Sequence, residues 1–109
     1  MAAALSVGIQ RDADSVVVEV GGELDLAAES TYTRALEGNL YAPLVVLDLS
    51  RITFMDSTGL RLILETDARV RADGNRCVVV RGQGSVHRLI EQGLLASRLD
   101  VVDQLADVR

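Results

Sequence analysis

Residues 44–50 read LVVLDLS, an almost unbroken apolar run. A strand with one wet face alternates apolar and polar residues, whereas a run without alternation suits a strand covered on both faces. Such a strand needs neighbours on either side and a helical layer above it. This one segment therefore commits the chain to an α/β sheet with the run at its centre.

The flanking sequence supplies both. LSVGIQ (5–10) places Leu5, Val7 and Ile9 in alternation, and after the polar RDADS the run VVVEVGG (16–22) continues in the same way, which predicts an opening pair of strands ended by Gly21 and Gly22. In 25–40, Ala28, Tyr32, Ala35, Leu36 and Leu40 recur at spacings of three and four, the period of one helix face, and Pro43 closes the segment. A second helix is expected over 58–72, with Leu60, Ile63, Leu64 and Ala68 facing inward, stopped by Gly74 and Asn75. RCVVVR (76–81) reads as a fourth strand and 84–95 as a third helix carrying Val86, Leu89, Ile90 and Gly93. LDVV (99–102) follows as a short fifth strand, and a last turn or helix lies in 103–109.

The expected architecture is α/β, one domain over 1–109. It has a mixed four- to five-stranded sheet with helices packed mainly on one face, in the order β-β-α-β-α-β-α-(β-α). A chain of 109 residues can bury a core without disulfides or metal.

Composition removes several function classes. Eleven basic residues, all arginine, stand against 16 acidic ones for a formal charge of −5, and there is one Phe and no Trp. Nucleic-acid binding, which needs basic surface and stacking aromatics, is not expected. No run approaches the roughly 18 apolar residues of a membrane span, and the N-terminal MAAALSVGIQRDAD lacks a basic region, so a cytoplasmic location is expected. Cys77, the single cysteine, excludes an internal disulfide and suits a strand core. With His87 the single histidine, neither a multi-histidine metal site nor a conventional catalytic triad is encoded, and no cofactor is expected.

Three segments carry candidate chemistry. Gly82-Gln83-Gly84 follows a strand and precedes a helix, the setting of a phosphate loop, but the six-residue glycine pattern is incomplete and a plain turn is the simpler reading. A small nucleotide-binding domain built on this turn stays open as an alternative. Asp25, Asp48 and Asp56 are the carboxylates that strand ends could gather for acid–base work. A receiver-type phosphoaspartate site would add a lysine, and the chain has none. The third segment is FMDSTGL (54–60). Asp56 or Ser57 suits a helix N-cap. At 100° per residue Thr58, Arg61, Leu62, Glu65 and Arg69 lie opposite the inward arc. That puts Leu62 on a polar surface beside exposed hydroxyls, a pattern that suggests a docking face.

The run VVLDLSRITFMDSTGLRLILE resembles the signature of STAS domains of the anti-sigma factor antagonist family, and GGELDL (21–26) resembles the family's G-E-L-D segment between the second strand and first helix. The resemblance spans nearly the whole chain. It implies that Ser57 is phosphorylated, with Thr58 as a lesser alternative, by an anti-sigma factor that is itself a GHKL-type serine kinase. A PP2C-type phosphatase would reverse the mark. The unphosphorylated protein would bind the anti-sigma factor, release the sigma factor, and be a monomer when free. It would act as substrate and ligand, not enzyme. Asp25, Asp56, Ser57, Thr58, Gly59, Arg61 and Leu62 would form the partner surface, with Gly59 admitting a partner backbone. A STAS scaffold or adaptor in a stress-signalling or lipid-transport complex is the rival within the same fold. Two departures stand out: Arg61 occupies a position where the family commonly has glycine, and Gly84-Ser85 replaces a proline before Val86, Arg88 and Leu89.

Overall fold

A computed structural model describes residues 4–82, 88 and 99–108. Strands β1 (Ser6–Arg11) and β2 (Ser15–Leu24) form an antiparallel pair, and β3 (Leu44–Met55), β4 (Arg76–Val80) and β5 (Val101–Val102) add parallel strands in the spatial order β1-β2-β3-β4-β5. The mixed five-stranded sheet is the one expected. Helices α1 (Glu29–Leu36) and α2 (Ser57–Ala72) connect β2 to β3 and β3 to β4. The tail ends in a short 3-10 turn, Leu105–Asp107. The third helix expected over 84–95, with His87 and most of the 82–84 turn, lies outside the described residues apart from Arg88.

The core follows strand alternation. Val16, Val18 and Val20 of β2, Val45, Leu47 and Leu49 of β3, and Cys77 and Val79 of β4 are packed with Tyr32 and Leu36 of α1 and Leu62, Ile63 and Val70 of α2. The alternate residues Val46, Val78 and Val80 are buried too. The run at 44–50 is thus covered on both faces over Val45–Leu47, while Asp48 is half-buried and Ser50 exposed. Burial, with the Asp67 carboxylate adding to it, pushes the Cys77 thiol up to about 12, so it is an inert core residue.

Three expectations are corrected. First, β3 does not end near Ser50 but runs 12 residues to Met55. Glu19 and Gly21 of β2 face Asp48 and Arg51, and Gly22 and Glu23 face Ile52 and Phe54, so β3 carries an extra residue at two bulges. Those bulges break the period of two, which hides the strand's second half from a pattern search. Second, the first helix is shorter than its apolar spacing suggests. A 3-10 turn, Leu26–Ala28, precedes α1, and Gly38, at φ +76°, turns the chain away after Leu36, although Leu40 beyond it is still buried.

Third, α2 is rotated relative to the arc Leu60, Ile63, Leu64 and Ala68. Gly59, Leu62, Ile63, Thr66, Asp67 and Val70 are buried, whereas Ala68 is exposed and Leu60 and Leu64 are half-buried. Leu62, expected on the outside, is 4% exposed. The cause is a polar residue at a core position. Thr66 Oγ1 donates to the Leu62 carbonyl oxygen at 2.7 Å, which leaves its lone pairs to accept from the Tyr32 hydroxyl, also at 2.7 Å. Both buried hydroxyls are satisfied by this arrangement, so burying Thr66 carries no unpaired-group penalty. Burial pushes the Tyr32 phenol well above its ordinary range, which keeps it a neutral donor. Asp67 is held by Arg71 Nε at 2.9 Å, one turn along the helix.

Candidate functional site

The parallel β2–β3 ladder ends with Leu24 opposite Met55. Asp25 and Asp56 therefore leave neighbouring strands side by side, at the carboxyl ends where open α/β sheets collect their ligands. Each aspartate caps the element that follows. Asp25 Oδ1 accepts from Ala28 N at 3.1 Å and Asp56 Oδ1 accepts from Gly59 N at 3.1 Å. Of the two N-cap candidates, Asp56 is the one used, and α2 begins at Ser57.

That choice decides the state of the serine. With the cap supplied by Asp56, Ser57 is an exposed first residue of α2 whose hydroxyl bonds to no described residue. Thr58 is half-buried. The helix N-terminus beside the hydroxyl carries the partial positive charge of unpaired amides and tolerates an anion.

Gly59 is required by the chain's own packing. A Cβ there would overlap the Leu24 carbonyl oxygen and come within 2.6 Å of Met55 Cγ. The backbone that Gly59 admits is the chain's own. The first turn of α2 folds down onto the end of β2 at Leu24. Arg61 is exposed and doubly paired, to Glu29 at 2.9 Å and to Glu65 at 2.9 Å. The hydrogen bond its guanidinium donates to the Glu29 carboxylate, more than the field of Glu65, favours its charged form. It joins the start of α1 to the second turn of α2.

Two expected site residues are not brought here. Asp48 sits in mid-strand opposite Glu19, with Oδ1 accepting from Ser50 N at 3.0 Å. The eight residue steps from it to Asp56 span roughly 25 Å, so the three aspartates do not form a catalytic cluster. Among the described residues no group of three or more His, Cys, Asp or Glu converges as a metal site. Leu62 is the other, since it lies in the core between the helices and offers nothing to a partner.

In its place the exposed apolar side chains near Ser57 are Leu26, 70% exposed, and Phe54, 45% exposed. Leu26 follows the Asp25 cap, and Phe54 lies two residues before Asp56 at the second bulge. A cavity of about 320 Å³ opens beside Asp25, lined also by Leu5, Glu23, Ala27 and Thr31. The one signal available for Phe54 was the loss of alternation in RITFM; nothing in the sequence marked Leu26 as exposed.

A mixed sheet whose second and third strands deliver two capping aspartates and an exposed serine to one end defines a small α/β domain of one recognisable kind. Residues 6–108 match the STAS domain family model, and the chain belongs to that family. An anti-sigma factor antagonist from Mycobacterium paratuberculosis has a similar structure, with TM-score 0.87 at 23% identity over 98% of this chain and 94% of that one. The unphosphorylated anti-sigma factor antagonist SpoIIAA superimposes with TM-score 0.73 at 18% identity, covering 91% of this chain and 90% of that one. The phosphorylated Bacillus SpoIIAA gives 0.68 at 17% identity over 91% and 93%. At these identities the likeness establishes the fold. No helix among the described residues is long and apolar enough to cross a membrane.

Proposed function

We propose that this STAS domain is an anti-sigma factor antagonist switched by phosphorylation of Ser57. The observation that carries the reading is the division of labour at the start of α2: Asp56 makes the cap, which leaves the Ser57 hydroxyl exposed and without a bonding partner among the described residues. A serine that capped its own helix would have to surrender that bond to be modified. Similarity to antagonists of known structure over nearly their full length supports the same role.

In this reading a bacterial anti-sigma factor of the GHKL serine-kinase type docks on the carboxyl end of β2 and β3. It contacts the loop at Asp25 and Leu26, the bulge at Phe54 and the first turn of α2. Docking frees the sigma factor. Transfer of the γ-phosphoryl group of ATP then forms the Ser57 Oγ–P bond as the bond to ADP breaks and the hydroxyl proton leaves. Phosphorylation adds roughly 1.5 to 2 negative charges beside Asp56. The helix N-terminus accommodates them, so the fold survives while the partner is repelled. A PP2C-type phosphatase resets the domain. The protein is the substrate of this cycle, not an enzyme, and works in the cytoplasm without cofactor.

The test is a pull-down from native cells of wild type, Ser57→Ala and Ser57→Asp, with mass spectrometry of the phosphosites. Modification at Ser57, capture of an anti-sigma factor by wild type and Ser57→Ala, and its loss with Ser57→Asp are expected. An unmodified Ser57 together with a Ser57→Asp protein that keeps every partner would overturn the reading.

A further inference from the structure

Arg61 lies four residues after Ser57 on α2, so their Cβ atoms are about 5–6 Å apart on one face of the helix. Helical side chains lean toward the N-terminus. The Arg61 stem is thus directed over the turn that carries Ser57. At present its guanidinium reaches sideways to Glu29 and along the helix to Glu65, each at 2.9 Å, and all three side chains are at least a third exposed. Bonds of this kind between exposed groups are weak and exchangeable. A phosphate on Ser57 would present about two negative charges and three acceptor oxygens within the same reach, a stronger partner for a planar guanidinium than either carboxylate.

We propose that Arg61 is the phosphate-sensing residue of this domain: on phosphorylation of Ser57 its guanidinium turns from Glu29 to the phosphate and releases the start of α1. The inference rests on the phosphoserine reading above. Its consequence is structural. Glu29 is the first residue of α1 and follows the Leu26–Ala28 turn directly. Losing its tie to α2 loosens the Asp25–Ala28 loop, the other half of the partner surface. One modification then alters both halves, by adding charge at α2 and by freeing the loop at the end of β2. The charged groups bearing on the phosphate are Arg61, which attracts it, and Asp56, Glu29 and Glu65, which oppose it.

The test installs phosphoserine at position 57 genetically during synthesis, so it needs no kinase and is independent of whether cells modify Ser57. Phosphorus NMR measures the second pKa of the phosphate, ordinarily near 6, in the wild-type background and with Arg61→Gln, Arg61→Lys or Arg69→Gln. Arg61→Gln is expected to raise that pKa by about 0.3 pH unit. Arg61→Lys should recover part of the difference, and Arg69→Gln, the loss of an arginine two turns further along, should leave it unmoved. Amide spectra give the second readout. Phosphoserine should shift residues 25–31 in the wild-type background but not with Arg61→Gln, while residues 56–59 shift in both. An equal phosphate pKa with and without Arg61, or shifts at 25–31 that survive Arg61→Gln, would overturn the proposal. Failure to find phosphorylated Ser57 in cells would instead count against the proposed function and leave this device physically intact.

Discussion

Replacing Gly59 by alanine separates two accounts of why a glycine stands in the first turn of α2. If it only admitted a partner, alanine would stabilise the free protein, because alanine is favoured over glycine in a helix by about 1 kcal/mol. The structure predicts the reverse. A Cβ would meet the Leu24 carbonyl oxygen and lie 2.6 Å from Met55 Cγ, and of these only the methionine can rotate away. Overpacking costs about 1–3 kcal/mol, and a backbone obstacle puts this site at the upper end. Less the propensity gain, the net loss is about 2 kcal/mol. For a chain of 109 residues, that lowers the melting temperature by about 8 °C. Urea unfolding followed by circular dichroism would show a lower midpoint with an unchanged slope. Gly8→Ala is the control, since the nearest atom to its Cβ is Glu19 Cβ at 3.9 Å, an ordinary contact. A Gly59→Ala protein as stable as wild type, or more so, would refute the close approach of α2 to β2 and with it the placement of Ser57.

Other outcomes follow from the same contacts. Thr66→Val leaves the buried Tyr32 hydroxyl without its acceptor and should cost about 1–3 kcal/mol; Tyr32→Phe leaves Thr66 bonded to the Leu62 carbonyl and should cost less, and the double variant should recover part of the loss in a denaturation cycle. Leu62→Ala should destabilise by about 2–5 kcal/mol as a core cavity, whereas Leu26→Ser should change stability by no more than about 0.5 kcal/mol yet weaken anti-sigma factor binding in calorimetry. Cys77 is raised in the folded state to about 12 from an ordinary value of 9.0, so the neutral thiol is the native form. Its contribution is complete below pH 9 and is lost as pH rises toward 12. Cys77→Val should flatten that part of the alkaline stability curve, and the folded wild type should react slowly with thiol reagents at pH 8.

Much of the candidate site is legible in the sequence. Asp56 was readable as a cap because a short acid between a strand-like run and a helix-like run suits that use, whereas Asp25 was marked only as a candidate carboxylate and by the resemblance, and its capping bond to Ala28 N emerged from the structure. Ser57 was singled out by the signature around it. Leu62 was misplaced because hydropathy ranks Thr66 as a surface residue, and only a hydroxyl partner from another helix makes its burial tolerable. Asp48 was grouped with Asp56 because the bulged half of β3 has no clean period, which made the strand look seven residues long where it runs for 12.

The sequence by itself determined the α/β class, the central strand through 44–50 and a helix beginning within 56–58, since each depends on local pattern: a nearly continuous apolar run, helical spacing and short capping side chains. Tertiary structure alone decided which face of α2 turns inward and what Gly59 serves. It likewise decided that Arg61 spans two helices and that Leu26 and Phe54, not Leu62, meet solvent beside Ser57. Those are properties of pairs of residues far apart in the chain. A helix's rotation is set by the partner it finds, here Tyr32 for Thr66 and the Leu24 carbonyl for Gly59, and no period within α2 encodes either one.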